Sequence, residues 1–231
     1  MKFQTPLHYG TLEKRYKRFL ADLQVADGET LVAHCPNSGS MLTLNIPGME
    51  VGYSRASNPE RKLKYTLEAV KEADTWVSVN TQYPNRLVEE AWEQGLIPEL
   101  LEFTGFQREV VTSPGTRLDG RLTDEVGNAC YIEIKSVTLK QNGIGVFPDA
   151  VTERGLKHLE SLIALKQAGH RAMMVYVAMR DDCFVFDIAR AIDPAYDAGF
   201  QRARAAGVEI LCYAWRVEAS GIFLSHAMEI K

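Results

Sequence analysis

Cysteine is scarce, with four residues in a chain of 231, and Cys35, Cys130, Cys183 and Cys212 lie far apart with no CxxC among them. That excludes a disulfide scaffold and a zinc knuckle, and reads as reduced, mostly buried thiols. Long apolar runs are missing too. No stretch approaches the roughly 20 apolar residues of a membrane helix, and Met1 to Pro6 lacks an apolar signal core, so a cytoplasmic protein without membrane contact is expected. Nor is there a cationic excess. The net charge of -4 counts against a polyanionic partner, because phosphate binding draws on Lys and Arg releasing counterions.

What is present is an ordinary globular composition, 46% hydrophobic and 24% charged, in a chain long enough for two modest domains. The charge is unevenly spread. Residues 1–80 carry 10 Lys and Arg against 9 Asp and Glu, and the remainder 16 against 21, so the acidity lies in the second part. Positive charge bunches at Lys14, Arg15, Lys17 and Arg18 and again at Arg55, Arg61, Lys62 and Lys64. Such bunches serve equally as a binding face or a solvated one.

From Tyr16 to about Asn80, short β-like runs alternate with turn chemistry. They are Arg18 to Val25, the turn Asp27-Gly28, Thr30 to Cys35, the loop Pro36 to Ser40, Met49 to Ser54, Leu63 to Val70 and Thr75 to Val79. About five short strands predict a small barrel, and an OB-like one, which binds oligonucleotides, is the natural candidate. The pattern changes at Tyr83-Pro84-Asn85, where Asn85 reads as an N-cap and Leu87, Val88, Ala91 and Trp92 as a helical stripe ending at Gly95. The domain boundary is placed here, with a barrel over 1–82 and a second domain over 83–231.

In the second domain, 108–122 and 129–139 read as two strands around a turn with Asp124, Gly127 and Asn128. A polar loop leads to a helix from Thr152 to Ala168, followed by strands 172–179 and 183–187, a helix 194–206 and strands 208–217 and 222–228. Strands and helices in that order make an α/β domain with a central mixed sheet. The expected fold is a two-domain α+β chain.

The chemistry concentrates in Cys130 to Val137. Alternation along this strand sends Ile132 and Ile134 to one face and Glu133 and Lys135 to the other. Asp119 lies 14 residues upstream, next to Gly120, and a hairpin pairing brings it beside Glu133. Two carboxylates on a rigid sheet suit a hard cation, Mg²⁺ or Mn²⁺, which keeps several waters and takes one or two protein oxygens. Lys135 is then placed to serve an attacking water or a developing negative charge. An acid-x-Lys tripeptide alone also serves as a salt-bridged surface pair; the upstream acid, the apolar reverse face and the flanking helices favour the site.

Asp119, Glu133-Ile134-Lys135 and the preceding helix resemble the core of the PD-(D/E)xK nuclease superfamily. Nearly the whole chain resembles the sugar fermentation stimulation protein A family of bacteria and archaea. The segments that carry this are Arg15 to Asp22, His34-Cys35-Pro36-Asn37-Ser38-Gly39-Ser40-Met41, Asn85 to Ala91, Tyr131 to Leu139 and Phe147 to Leu159. The resemblance implies an OB-like domain, a restriction-endonuclease-like domain, DNA binding of little sequence preference and a link to regulation of maltose genes. Helical periodicity does not choose between Glu89 and Glu90 as an additional catalytic acid; the family pattern points to Glu90.

Arg154 and His158 lie four apart on one helix face and can meet a phosphate, although a His bordering a core stripe is more often a satisfied structural residue. Asp149 before that helix is a cap, a loop residue or a neighbour of the metal. Asn37 in its tight loop offers donors to a phosphate or closes a turn. Arg15 and Lys17 share one strand face as DNA contacts, with Arg18 on the other. Three functions fit: a metal-dependent nuclease acting on single- or double-stranded DNA, a non-catalytic DNA-binding regulator, and a hydrolase of small phosphate esters. Oligomeric state leaves no mark in the sequence.

Overall fold

The structure, a computed structural model, describes all residues except Asp27 and Pro114, so the turn expected at Asp27-Gly28 lies partly outside the described residues. The first domain has six strands, β1 His8–Tyr16, β2 Leu20–Gln24, β3 Thr30–His34, β4 Glu50–Arg55, β5 Tyr65–Glu72 and β6 Thr75–Ser78. Antiparallel pairs β1/β2, β1/β4, β2/β3 and β4/β5 are closed by a parallel contact of β3 with β5 through Ala33↔Tyr65 and His34↔Thr66. The circuit β1-β2-β3-β5-β4 is an OB-like barrel, with β6 added beyond β5. Its interior is filled by Leu12, Leu23, Val51 and Leu67.

Two expectations change here. β1 starts at His8, ahead of the first run read from the sequence; Leu12 is its only fully buried side chain, so its alternation is almost silent. Lys17 and Arg18 are not on a strand. They form the β1–β2 turn between the pair Tyr16↔Leu20, with φ of 49° and 64°. A tight reversal requires left-handed backbone, and this one points both side chains and Phe19 to solvent.

The second domain comprises α1 Tyr83–Glu93, β7 Phe103–Ser113, β8 Thr116–Asp124, β9 Ala129–Val137, β10 Leu139–Gln141, β11 Ile144–Phe147 and α2 Glu153–Gln167. It continues with β12 Arg171–Ala178, β13 Val185–Ile188, α3 Pro194–Ala205, β14 Glu209–Glu218, β15 Gly221–Ala227 and β16 Glu229–Ile230. The central sheet runs β15-β14-β12-β9-β8-β7, parallel across β9, β12 and β14 and antiparallel at both edges. Residues 172–178 of β12 are all buried, because helices and barrel cover both faces. On one face α1 packs through Leu87, Val88 and Ala91, joined by Ala69 of the barrel; on the other, α2 and α3 pack through Leu159, Leu162, Tyr196 and Phe200.

The run expected over 108–122 is broken into the hairpin β7–β8, with Gly115 at φ +78° between Ser113 and its partner Thr116. The helix expected to be capped by Asn85 begins three residues earlier, after Gln82, because Pro84 fits a first helical turn. The loop expected before α2 holds a hairpin, β10–β11, turned by Asn142-Gly143, both at positive φ. Asn-Gly between two runs is the strongest short hairpin signal and was readable in the sequence. β13 joins β10, β11 and β16 in a separate four-stranded sheet instead of the central one.

The two domains are extensively joined. Met1 and Ile222 exchange main-chain hydrogen bonds, and Phe3 and Leu7 donate to Ser220 and Ala219, so the first residues lie on the β14–β15 turn. Arg180, fully buried, donates to Glu72 of β5 (2.7 Å), to Asp182 (2.6 Å) and to the Thr138 carbonyl (3.0 Å). All four cysteines are buried and unpaired. Among the described residues no helix is long and apolar enough to cross a membrane.

Candidate active site

The β8–β9 ladder runs from Thr123↔Ala129 to Gly120↔Ile132 and ends there. The Asp119 carboxylate enters the gap that opens. Its Oδ2 accepts from the Ile134 N–H (2.8 Å), its Oδ1 from Asn85 Nδ2 of α1 (2.8 Å), and its own N–H donates to Glu133 Oε2 at 3.3 Å. Along β9, Ile132 and Ile134 pack with α1 and the sheet core, which leaves Glu133 facing α2. There Glu133 Oε1 takes hydrogen bonds from Lys135 Nζ and His158 Nδ1, and Lys135 Nζ lies 3.1 Å from His158 Nδ1. His158 Nε2 is 3.5 Å from Arg154 Nε. An N–H at Nδ1 satisfies Glu133, with Nε2 turned toward the Arg154 guanidinium.

Two carboxyls this close are driven apart in acidity. Burial and then the Glu133 charge push Asp119 up, and hydrogen bonds from Ile134 and Asn85 offset only part of this. Burial also opposes ionisation of Glu133, but His158 and Lys135 outweigh it and hold this carboxyl below the usual Glu range. α2 is fixed against the site by paired caps. The Thr152 hydroxyl accepts from the Gly155 N–H, and buried Asp193, which caps α3, also accepts from the Thr152 N–H.

Of the residues expected at the site, Asp119, Glu133, Lys135, Arg154 and His158 come together. Glu90 does not. At 100° per residue it lies round the helix from Asn85, and it is bound by the Met1 ammonium (3.0 Å) and Arg86 (2.7 Å). Glu89, one turn beyond Asn85 on the same face, pairs with Arg108 of β7. Asn85 is therefore the α1 residue that touches the cluster, and reading it as a cap concealed this.

Asp149 joins the domains by accepting from the Ser40 hydroxyl (2.7 Å) and the Met41 N–H (3.2 Å). Arg15 is used internally, donating to the carbonyls of Arg18, Asn37 and Gly39. Asn37 is buried and bonds the Val79 carbonyl and the Gly39 N–H. These two brace the loop, while Lys17 and Arg18 stay exposed.

Beside His158 a cleft of about 630 Å³ opens between the β7–β8 hairpin and α2, and Arg117, Arg154 and Lys157 line it. Arg117 and Lys157 had no periodic signal in the sequence; only the hairpin's fold over α2 assembles them. Among the described residues no group of three or more His, Cys, Asp or Glu forms a metal cage. The donor set that is present, two carboxylates beside a solvent cleft, fits a hard divalent cation that keeps its waters.

Barrel and mixed sheet together define the class, an OB-like domain followed by a restriction-endonuclease-like α/β domain. Residues 14–79 match the family described as the SfsA N-terminal OB domain, and residues 82–221 the sugar fermentation stimulation protein RE domain. The chain belongs to the sugar fermentation stimulation protein family. It is 47% identical to the homologue from Rhodospirillum centenum, over 100% of this chain and 99% of that one, and 45% identical to that of Geobacter metallireducens with the same coverage. The structure of Pyrococcus furiosus SfsA in complex with Ca²⁺ superposes with a TM-score of 0.91 at 25% identity, covering 100% of this chain and 98% of that one.

Proposed function

We propose that this protein binds DNA and hydrolyses phosphodiester bonds with Mg²⁺ or Mn²⁺. The observation that carries the reading is the convergence of buried Glu133, half-buried Asp119 and Lys135 at the splayed end of β8–β9, beside a cleft lined by Arg117, Arg154 and Lys157. The Ca²⁺ complex of the Pyrococcus furiosus relative supports divalent-cation binding.

Asp119 and Glu133 would hold the cation. When bound, it supplies positive charge against the negative charge that grows on the phosphate during attack by water. Lys135, within reach of the same carboxylate, orients the water or neutralises that charge, and Arg154 anchors a neighbouring phosphate. Asn85 orients Asp119, so Asn85→Ala should weaken Mn²⁺ binding by about 10–100-fold, measured by calorimetry, with the fold intact. Cleavage of labelled single- and double-stranded DNA with Mg²⁺ or Mn²⁺, against EDTA, tests the reading.

The exposed turn Lys17-Arg18-Phe19 and the exposed Lys62 and Lys64 of the β4–β5 loop are the barrel's groups for a nucleic-acid backbone. Replacing Lys17 and Arg18 by Ala should flatten the log-affinity against log-salt line by about one to two units, read by fluorescence anisotropy. An unchanged slope would remove this turn from the DNA interface.

A second reading, a non-catalytic DNA-binding regulator of sugar (maltose) genes, is favoured by one observation. Glu133 is already satisfied by His158 and Lys135, as in a structural network.

A further inference from the structure

A second cavity, of about 430 Å³, lies at the junction of the barrel with the first residues of the chain and the start of α1. Its size and its place between two domains are those of a small-ligand site. The charge around it is one-sided. Arg55 and Lys2 have no ion-pair partner among the described residues, and Arg61 spends its guanidinium on the Thr66 hydroxyl (3.0 Å) and His34 Nδ1 (3.3 Å) without meeting a carboxylate. The acid in the wall, Glu68, is buried and already occupied: Oε1 accepts from the Ser54 hydroxyl (2.6 Å) and Oε2 from Asn80 Nδ2 (2.8 Å). Guanidinium groups facing a cavity without carboxylate partners are a receptor for an anion, and their planar fork matches a phosphate.

The rest of the lining is of a different kind. Phe3 and Tyr83, with ring centroids 6.1 Å apart, offer aromatic surface, and the amides of Asn58 and Gln82 offer donors and acceptors for a heterocycle edge. A sugar phosphate has no use for the rings, and inorganic phosphate has no use for the volume. We infer that this junction cavity binds a nucleoside phosphate, its phosphate on Arg55 and Arg61 and its base against Phe3 and Tyr83. The site is independent of the carboxylate cluster and does not require that cluster to hydrolyse anything. Because the ligand would touch both domains, its binding also adds to their association.

Calorimetric titration of the full-length protein with AMP, ribose 5-phosphate, inorganic phosphate and a 5′-phosphorylated single-stranded oligonucleotide tests the assignment. The expected result is saturable AMP binding that exceeds ribose 5-phosphate and phosphate, weakened about tenfold or more by Arg55→Ala and by Arg61→Ala. Arg55 is exposed, so its variant keeps the test valid if loss of Arg61 disturbs the barrel. Ser57→Trp, which fills the mouth without touching a guanidinium, should abolish binding, and Glu133→Gln should leave it unchanged. Binding of the oligonucleotide but not AMP, with the same sensitivity to Arg55→Ala and Ser57→Trp, identifies a strand end as the source of the nucleotide. Ribose 5-phosphate binding as tightly as AMP, no binding of any probe, or binding indifferent to Arg55→Ala and Ser57→Trp overturns the inference.

Discussion

Glu133→Gln should lower metal-dependent DNA cleavage by about 10²- to 10⁴-fold while DNA affinity is retained. The substitution removes the negative charge shared by the cation, Lys135 and His158 but preserves the shape of a side chain only 2% exposed. Lys135→Ala should show a comparable loss without the metal-binding defect, because the ammonium acts on water or phosphate and not on the cation. Single-turnover cleavage of labelled DNA with Mg²⁺ and Mn²⁺, paired with calorimetric Mn²⁺ titration, separates the two effects. Binding without cutting in either metal, unaltered by both substitutions, would sink the nuclease reading and leave the regulatory one.

The largest stability effect is expected far from that cluster. Arg180→Ala should lower the unfolding free energy by about 3–5 kcal/mol, the cost of removing one partner from a buried ionic network. Its guanidinium has no solvent exposure and connects Glu72 of the barrel to Asp182 of the second domain, with the Thr138 carbonyl also bound. The acids left behind would keep their charge and lose their main counterion. Burial alone would raise the Asp182 carboxyl, but Arg180 and Lys140 outweigh it and hold this group well below the ordinary Asp range. A depressed folded-state pKa stabilises fully above the unfolded value of about 3.9 and loses that contribution as pH falls below it. Urea unfolding should therefore show the deficit of Arg180→Ala in full at about pH 7 and a smaller one at about pH 3. An equal deficit at both would mean that the residue contributes packing rather than charge.

Much of the molecule is local in origin. Short β-prone runs separated by turn residues marked the barrel strands 20–24, 30–34 and 65–72, and Pro84 and Gly95 bounded the first helix of the second domain. β1 and the separate sheet were harder to see, for different reasons. A nearly solvated strand carries no pattern, whereas β13 carries a strand pattern that does not say which sheet it joins. Reading 108–122 as one strand underrated Gly115, whose positive φ allows the reversal into β8.

The sequence by itself determined the order of the two domains, the strand that sets Glu133 and Lys135 on one face, and the absence of a cationic excess, because each is a property of residue type and spacing along one segment. The tertiary structure decided which helix residue faces Asp119, that Arg15 braces a loop while Lys17 and Arg18 stay free, and that Arg117 and Lys157 share a cleft with His158. It also assembled the junction cavity from Phe3, Arg55, Arg61 and Tyr83. These depend on helix rotation, turn geometry and the docking of distant segments, which the packing of both sheet faces settles and no local pattern encodes.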